Sequence, residues 1–181
     1  QQAEDFLEEH GFTNHKARIA LILDISGSME NPNRFYKDGK IDTVVKKALA
    51  IAQHISVDQD VDVIPFGINA HGPMEVSMDN YDDIVVKMQK QYPFETGTNY
   101  AAPIKTLLEH YYPDCEPGLT PHVSDYPVFA IFITDGECNR QYQEAALAAV
   151  QLSSYFPGFL KFIGLKGVQT NRKFESLNCS D

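Results

Sequence analysis

The sequence predicts an α/β domain built on a doubly wound, mostly parallel sheet with helices on both faces. Three observations carry this. Apolar runs of strand length alternate with amphipathic stretches of helix length along most of the chain. The strongest runs, Ile19–Leu23 and Val128–Ile133, are continuously apolar, the mark of strands buried on both faces. Acidic and hydroxyl side chains then gather just after these runs, at the carboxyl edge where open parallel sheets bind ligands.

The elements follow in chain order. Gln1–Gly11 is acidic and reads as a short helical lead-in with Gly11 as its C-cap, so residues 1–16 precede the domain proper. The first strand is Ala17–Leu23, broken by Asp24. Ile41, Val44, Val45, Ala48, Ala52 and Ile55 recur at three- and four-residue steps and form one helical stripe. Val61–Phe66 is a second strand, placed nearer an edge by Pro65. Met74–Ser77 reads as a short antiparallel edge strand, and Asn80–Lys90 as a weaker helix through Ile84, Val85 and Met88. Ala101–Tyr112 is helical, with Pro103 tolerated in its first turn. Pro113–Pro127 is a loop. Val128–Ile133 is the strongest strand, Gln141–Tyr155 a helix carrying Ala145, Leu147, Ala148 and Leu152, and Phe159–Gly164 the last strand. The domain spans 17–177, with 178–181 as a tail.

The chain has 181 residues, a length suited to one domain. Its 43% hydrophobic and 11% aromatic content excludes a disordered chain. A net charge of −10 argues against a grip on nucleic acid or anionic lipid and suits a protein that attracts cations. Cys115, Cys138 and Cys179 are too few for a disulfide framework, and an odd number fits a reducing, cytoplasmic setting. The apolar runs fall far short of the ~20 residues needed to cross a bilayer, so no membrane insertion is expected. The chain begins with Gln, so it is expected to be an excerpt or a processed product. Asn178-Cys179-Ser180 reads as a chance glycosylation triplet.

Three segments bring chemistry to one edge. Asp24-Ile25-Ser26-Gly27-Ser28 follows the first strand, Thr134-Asp135-Gly136-Glu137 follows the strongest, and Thr96-Gly97-Thr98-Asn99-Tyr100 precedes a helix. Alternate residues of an extended turn point the same way, so positions 24, 26 and 28 face one point, and Gly27 permits the bend. Taken singly, Asp24, Ser26 and Ser28 are turn residues and Thr98 an N-cap. Taken together they are a set of hard oxygens. Such a set suits Mg²⁺ or Mn²⁺, and Ca²⁺ less well in a small cage. With hydroxyls binding directly and aspartates partly through water, the ion keeps its charge and seeks one more anionic oxygen. A partner's Asp or Glu carboxylate would supply it, making the site an adhesive. Arg34, Tyr100 and Arg140 are rim candidates for touching that partner, with Glu137 beside them. His71 reads as a turn cap and Cys138 as an inert thiol.

Asp24-Ile25-Ser26-Gly27-Ser28, Gly97-Thr98-Asn99 and Thr134-Asp135-Gly136 together resemble the metal-ion-dependent adhesion site of von Willebrand factor type A domains. The TerF-like (tellurium-resistance) branch, related to the copine type, is the closer likeness, through Ala17–Met29, Phe66–His71, Met78–Tyr81 and Gly97–Tyr100. The resemblance spans roughly Ala17 to Leu177. It implies a six-stranded, mostly parallel sheet with one antiparallel edge strand. It also implies Ser26, Ser28 and Thr98 as direct metal ligands, with Asp24 and Asp135 water-bridged or behind them. Relative to the branch, Glu30–Gly39 is lengthened and Val57–Asp60 shortened. Tellurite or general stress tolerance is what the branch name implies.

The leading function is therefore a metal-dependent protein-binding module with no turnover. The alternative is a Mg²⁺-dependent hydrolase such as a phosphatase, with Asp24 as nucleophile. Against it, Ser26 stands where the aspartyl-phosphate type places a second Asp, and no phosphate-binding glycine loop or Gly-x-Ser-x-Gly elbow is present.

Overall fold

The computed structural model describes residues 16–113, 123–136 and 138–166. The helical lead-in, most of the Pro-rich loop, Cys115, Glu137, Cys179, the Asn178 triplet and the 178–181 tail lie outside the described residues.

Among these residues, β1 (Arg18–Asp24), β2 (Val61–Phe66), β3 (Met74–Val76), β4 (Val128–Thr134) and β5 (Gly158–Gly164) form one sheet. Its order is β3-β2-β1-β4-β5. Only β3 runs antiparallel, on β2; every other neighbour is parallel. The resemblance implies six strands, and the described residues form five. At one edge β5 pairs with β4 alone among the described residues.

The central strand explains why the apolar runs are continuous. β1 is flanked by β2 and β4 and buried along nearly its whole length. Its odd-numbered residues Ile19, Leu21 and Leu23 enter one core, while Ala20 and Ile22 enter another on the opposite face. Both faces are covered from Ile19 to Leu23, and no polar residue stands there until Asp24. β2 lies one strand in from the edge, nearer to it than β1 as Pro65 predicts, with only β3 outside it. The β3 ladder covers only Val61–Val63, and the Pro65 carbonyl accepts the His71 N–H at 2.9 Å beyond its end. Pro65 thus faces a stretch where no ladder partner misses its N–H.

A single turn, α1 (Gly27–Glu30), follows β1. α2 (Lys40–Ile55) and α3 (Ile84–Gln91, after a 3₁₀ turn at Tyr81–Asp83) pack on the Leu21 face. α4 (Ala101–Tyr111) and α5 (Gln143–Ser153, after a 3₁₀ turn at Arg140–Tyr142) pack on the Ile22 face. Of the expected α2 stripe, Ile41, Val45, Ala48 and Ala52 are buried and Val44 and Ile55 pack partly buried on the same core, with Leu49, outside the expected stripe, buried beside them. In α5 the buried residues are Ala146 and Ala149, while Leu147 stands 61% exposed. Ala145–Val150 is apolar at every position, so its period cannot choose a face; contact with the Ile22-face core does.

No helix of the described residues is long and apolar enough to cross a membrane.

Candidate functional site

The carboxyl ends of β1 and β4 lie side by side, and β2 leaves β1 on the opposite side from β4. This is the switch point at which an open parallel sheet offers a crevice. Asp24, the last residue of β1, is fully buried, and both its carboxylate oxygens are engaged. Oδ1 accepts the Ser26 N–H at 2.7 Å and Oδ2 accepts the Thr134 hydroxyl at 2.5 Å. The buried Tyr36 hydroxyl donates to the Asp24 carbonyl at 2.7 Å. Burial pushes the Asp24 carboxyl up to about 6. The Ser26 and Thr134 hydrogen bonds act against that rise, and the neighbouring charge of Asp135 adds to it.

Ser26 and Ser28 continue the network. Their hydroxyls lie 3.2 Å apart, and Ser28 Oγ donates to Asp135 Oδ1 at 2.8 Å. Asp135, at the end of β4, is 3% exposed, and its other oxygen accepts the Asn33 side-chain amide. Asn33 belongs to the Glu30–Gly39 segment that follows the first motif. That segment therefore reaches into the site.

The plain turn reading of Ser26 holds at its backbone, whose carbonyl accepts the Met29 N–H at 3.0 Å, while the N-cap reading of Thr98 does not hold. Ser26 occupies the N-cap position of α1, yet its side chain makes no capping hydrogen bond. Thr98 is not the N-cap of α4; Tyr100 stands there. Thr98 is buried and anchored at its backbone by Asn139, whose Oδ1 accepts the Thr98 N–H at 2.9 Å and whose N–H donates to the Thr98 carbonyl at 3.0 Å. The structure thus joins Asp24, Ser26, Ser28 and Asp135 in one hydrogen-bonded cluster, while Thr98 is tethered through its backbone.

The rim candidates fare differently. Arg34 is exposed and donates from Nε to Asp38 at 3.3 Å. Arg140 is exposed at the start of its 3₁₀ turn. Glu137 lies outside the described residues. Tyr100 is not at the rim. It is 3% exposed, packs edge-on against Phe66 and Phe132, and donates its hydroxyl to the Gly136 carbonyl at 2.6 Å. Its aromatic body belongs to the Ile22-face core, and its hydroxyl braces the turn after β4. Burial raises the Tyr100 hydroxyl far above the ordinary tyrosine value. Burial likewise pushes the Cys138 thiol up, away from the thiolate that redox chemistry needs.

Asn33, Tyr36, Asn139 and Glu95 are the residues that sequence patterns miss. Each acts on a backbone group or on a carboxylate remote in sequence, and none carries a local spacing signal. Glu95 is the most connected. Its Oε2 accepts the Ile68 and Asn69 N–H groups at 2.7 and 3.0 Å, and its Oε1 lies 2.8 Å from His71 Nε2. His71 stacks on Tyr92 with centroids 4.3 Å apart. His71 therefore serves a turn, as its sequence position predicts. Burial pushes the Glu95 carboxyl up, but the Asn69 and Ile68 amides and His71 outweigh it, and the carboxyl sits below its ordinary value.

The donor set is chemically hard: carboxylates and hydroxyls. Among the described residues no ion pair reaches Asp24 or Asp135, and no cluster of three His, Cys, Asp or Glu side chains forms a cage. A cation held here would thus rely on serine and threonine hydroxyls as well as carboxylates.

Comparison with known proteins gives the same fold. A relative from Bacillus subtilis (strain 168), "Uncharacterized protein YcbR", is 29% identical over 178 residues, covering 97% of this chain and 66% of that protein. This chain therefore spans a little under two thirds of its relative. Among solved structures, a von Willebrand factor type A protein from Catenulispora acidiphila aligns with a TM-score of 0.55 at 15% identity, over 84% of this chain and 34% of that one. The manganese-loaded TRAP protein of Plasmodium vivax aligns with a TM-score of 0.56 at 18% identity, over 86% and 60%. Proximal thread matrix protein 1 of the mussel byssus, solved with a zinc-occupied MIDAS motif, aligns at 0.52 and 18% identity, over 84% and 39%. The model of the vWA-TerF-like family, described as the vWA found in the TerF C terminus, matches residues 16–179, and the chain belongs to that family.

Proposed function

We propose that this domain is a divalent-cation-dependent protein-binding module that performs no chemistry on its partner. The carrying observation is the oxygen cluster at the end of β1 and β4, where Ser28 bonds Asp135 and Ser26 keeps its hydroxyl out of the helix cap. The residues present fit a hard cation. Ser26, Ser28 and Thr98 would hold it through hydroxyls, with Asp24 and Asp135 acting through water or from behind. Mg²⁺ is the first choice, with Mn²⁺ or Ca²⁺ as alternatives. The manganese and zinc held by the two structural relatives support a divalent ion of this size. A cation so ligated retains positive charge and takes a carboxylate from an Asp or Glu of the partner protein. With a net charge of −10, nucleic acid is not the partner.

The hydrolase alternative needs Asp24 as a nucleophile. Its carboxylate is fully buried, with both oxygens already hydrogen-bonded, a poor arrangement for attack on a substrate. The family name supports a place in a bacterial tellurite or stress-response assembly, and the cysteine usage supports the cytoplasm.

The test is calorimetric titration of chelator-stripped protein with Mg²⁺, Mn²⁺ and Ca²⁺, beside Asp135→Ala. One-to-one binding lost in the variant supports the reading. A partner captured equally well in chelator would sink it.

A further inference from the structure

Glu95 lies in a loop and belongs to no motif, yet it touches both sides of the oxygen cluster. Its N–H donates to the Ile25 carbonyl at 2.9 Å and its carbonyl accepts the Gly27 N–H at 2.7 Å, so its backbone pairs with Ser26. Its carboxylate caps the turn after β2 through the Ile68 and Asn69 amides. That turn reaches on to Asn99, beside Thr98. The Asn99 N–H donates to the Gly67 carbonyl at 2.8 Å and Asn99 Nδ2 donates to the Ile68 carbonyl at 3.0 Å. The ring of contacts thus runs from Ser26 through the Glu95 backbone, its carboxylate, the Gly67–Asn69 turn and Asn99 to Thr98. The approach is close enough that a Cβ on Gly67 would lie 2.5 Å from Glu95 Cβ. Glycine at 67 leaves the room that the Glu95 side chain fills.

We infer that Glu95 is a positioning residue that sets the separation of the Ser26 and Thr98 segments, and through it the affinity of the site for a divalent cation. The cation part rests on the reading proposed above. The bland counterpart is a carboxylate that holds one turn and nothing else. The two differ in reach: a turn cap affects Ile68 and Asn69, whereas a positioning residue also affects Gly27 and Asn99, which its carboxylate does not touch.

The experiment is Mn²⁺ titration followed by electron paramagnetic resonance, with amide hydrogen exchange, on the parent chain, Glu95→Ala and Glu95→Gln. The Gln oxygen still accepts the turn amides, so this variant retains most of the parent affinity. Glu95→Ala is expected to weaken Mn²⁺ binding by about 10- to 100-fold, the range for residues that support metal ligands. In that variant exchange quickens at Gly27 and Asn99 as well as at Ile68 and Asn69. Unchanged Mn²⁺ affinity in a folded Glu95→Ala protein overturns the inference, as does faster exchange confined to Ile68 and Asn69. If the parent itself takes no Mn²⁺, the metal reading fails on its own. Exchange at Gly27 and Asn99 then still decides whether Glu95 positions the two segments.

Discussion

Ser28 Oγ donates to Asp135 Oδ1 at 2.8 Å, tying the turn after β1 to the end of β4 across 107 residues of chain. Ser28 itself is exposed, but its hydroxyl donates to the buried Asp135 carboxylate, so its loss costs about 1–3 kcal/mol. Ser28→Ala should therefore lower the thermal midpoint modestly while weakening Mg²⁺ binding at least tenfold. Calorimetry beside a thermal melt separates the two effects. A lower midpoint with unchanged Mg²⁺ affinity would mean that the serine is only structural.

Asp24 sets a pH dependence whose sign is unusual for a carboxylate. Its value rises from 3.8 to about 6 on folding, so the folded state binds its proton more tightly than the unfolded state does. Stability from this group is full below about pH 4, declines between roughly pH 4 and 6, and levels off above. The decline amounts to at most about 3 kcal/mol. Urea unfolding of the parent and Asp24→Asn across that window checks it, because the difference between the two curves removes all other titrations. The parent should lose stability relative to the variant as pH rises. Cation affinity should move the other way, strengthening as the proton leaves.

The Tyr36 hydroxyl spends its hydrogen on the Asp24 carbonyl at 2.7 Å in a fully buried setting. Tyr36→Phe leaves that carbonyl without its donor and should destabilise by about 1–3 kcal/mol. For a domain of this size the melting midpoint then drops by about 2–4 °C per kcal/mol. A variant as stable as the parent would mean that the carbonyl finds another donor.

Gly67→Ala places a methyl where Glu95 Cβ already stands, at 2.5 Å. Overpacking of this kind costs about 1–3 kcal/mol. Glu95→Gly in the same chain removes the obstructing atom, so the double variant should be less destabilised than the sum of the single ones. Strict additivity in denaturant unfolding would show that the two positions do not press on one another.

The strands were legible because burial on both faces leaves a signature in composition alone: β1 and β4 are apolar without interruption, and β2 runs over Val61–Phe66 as its pattern predicts. The hydroxyls and carboxylates at their ends were legible as a set for the same reason, since polar residues interrupt those runs abruptly. The face of α5 was not, because six neighbouring apolar residues fit any face. Tyr100 misled because an aromatic beside Thr98 reads as a contact surface, whereas its hydroxyl partner is the Gly136 carbonyl, 36 residues away. Glu95 and Asn33 carried no signal at all. Their bonds run to backbone amides and to Asp135 across 27 and 102 residues, and no local pattern encodes such distances.

The pairing of β1 with β4 has a kinetic meaning. The cluster joins groups from near the start of the domain to groups near residue 135, so a chain still being synthesised cannot complete it until β4 has emerged. Contacts of such long sequence separation close late and slowly. An ion held between Ser28 and Asp135 would therefore act as a latch on the last central seam to form. Its binding free energy, growing as RT ln(1 + [ion]/Kd), would count toward the persistence of the whole sheet rather than of one loop.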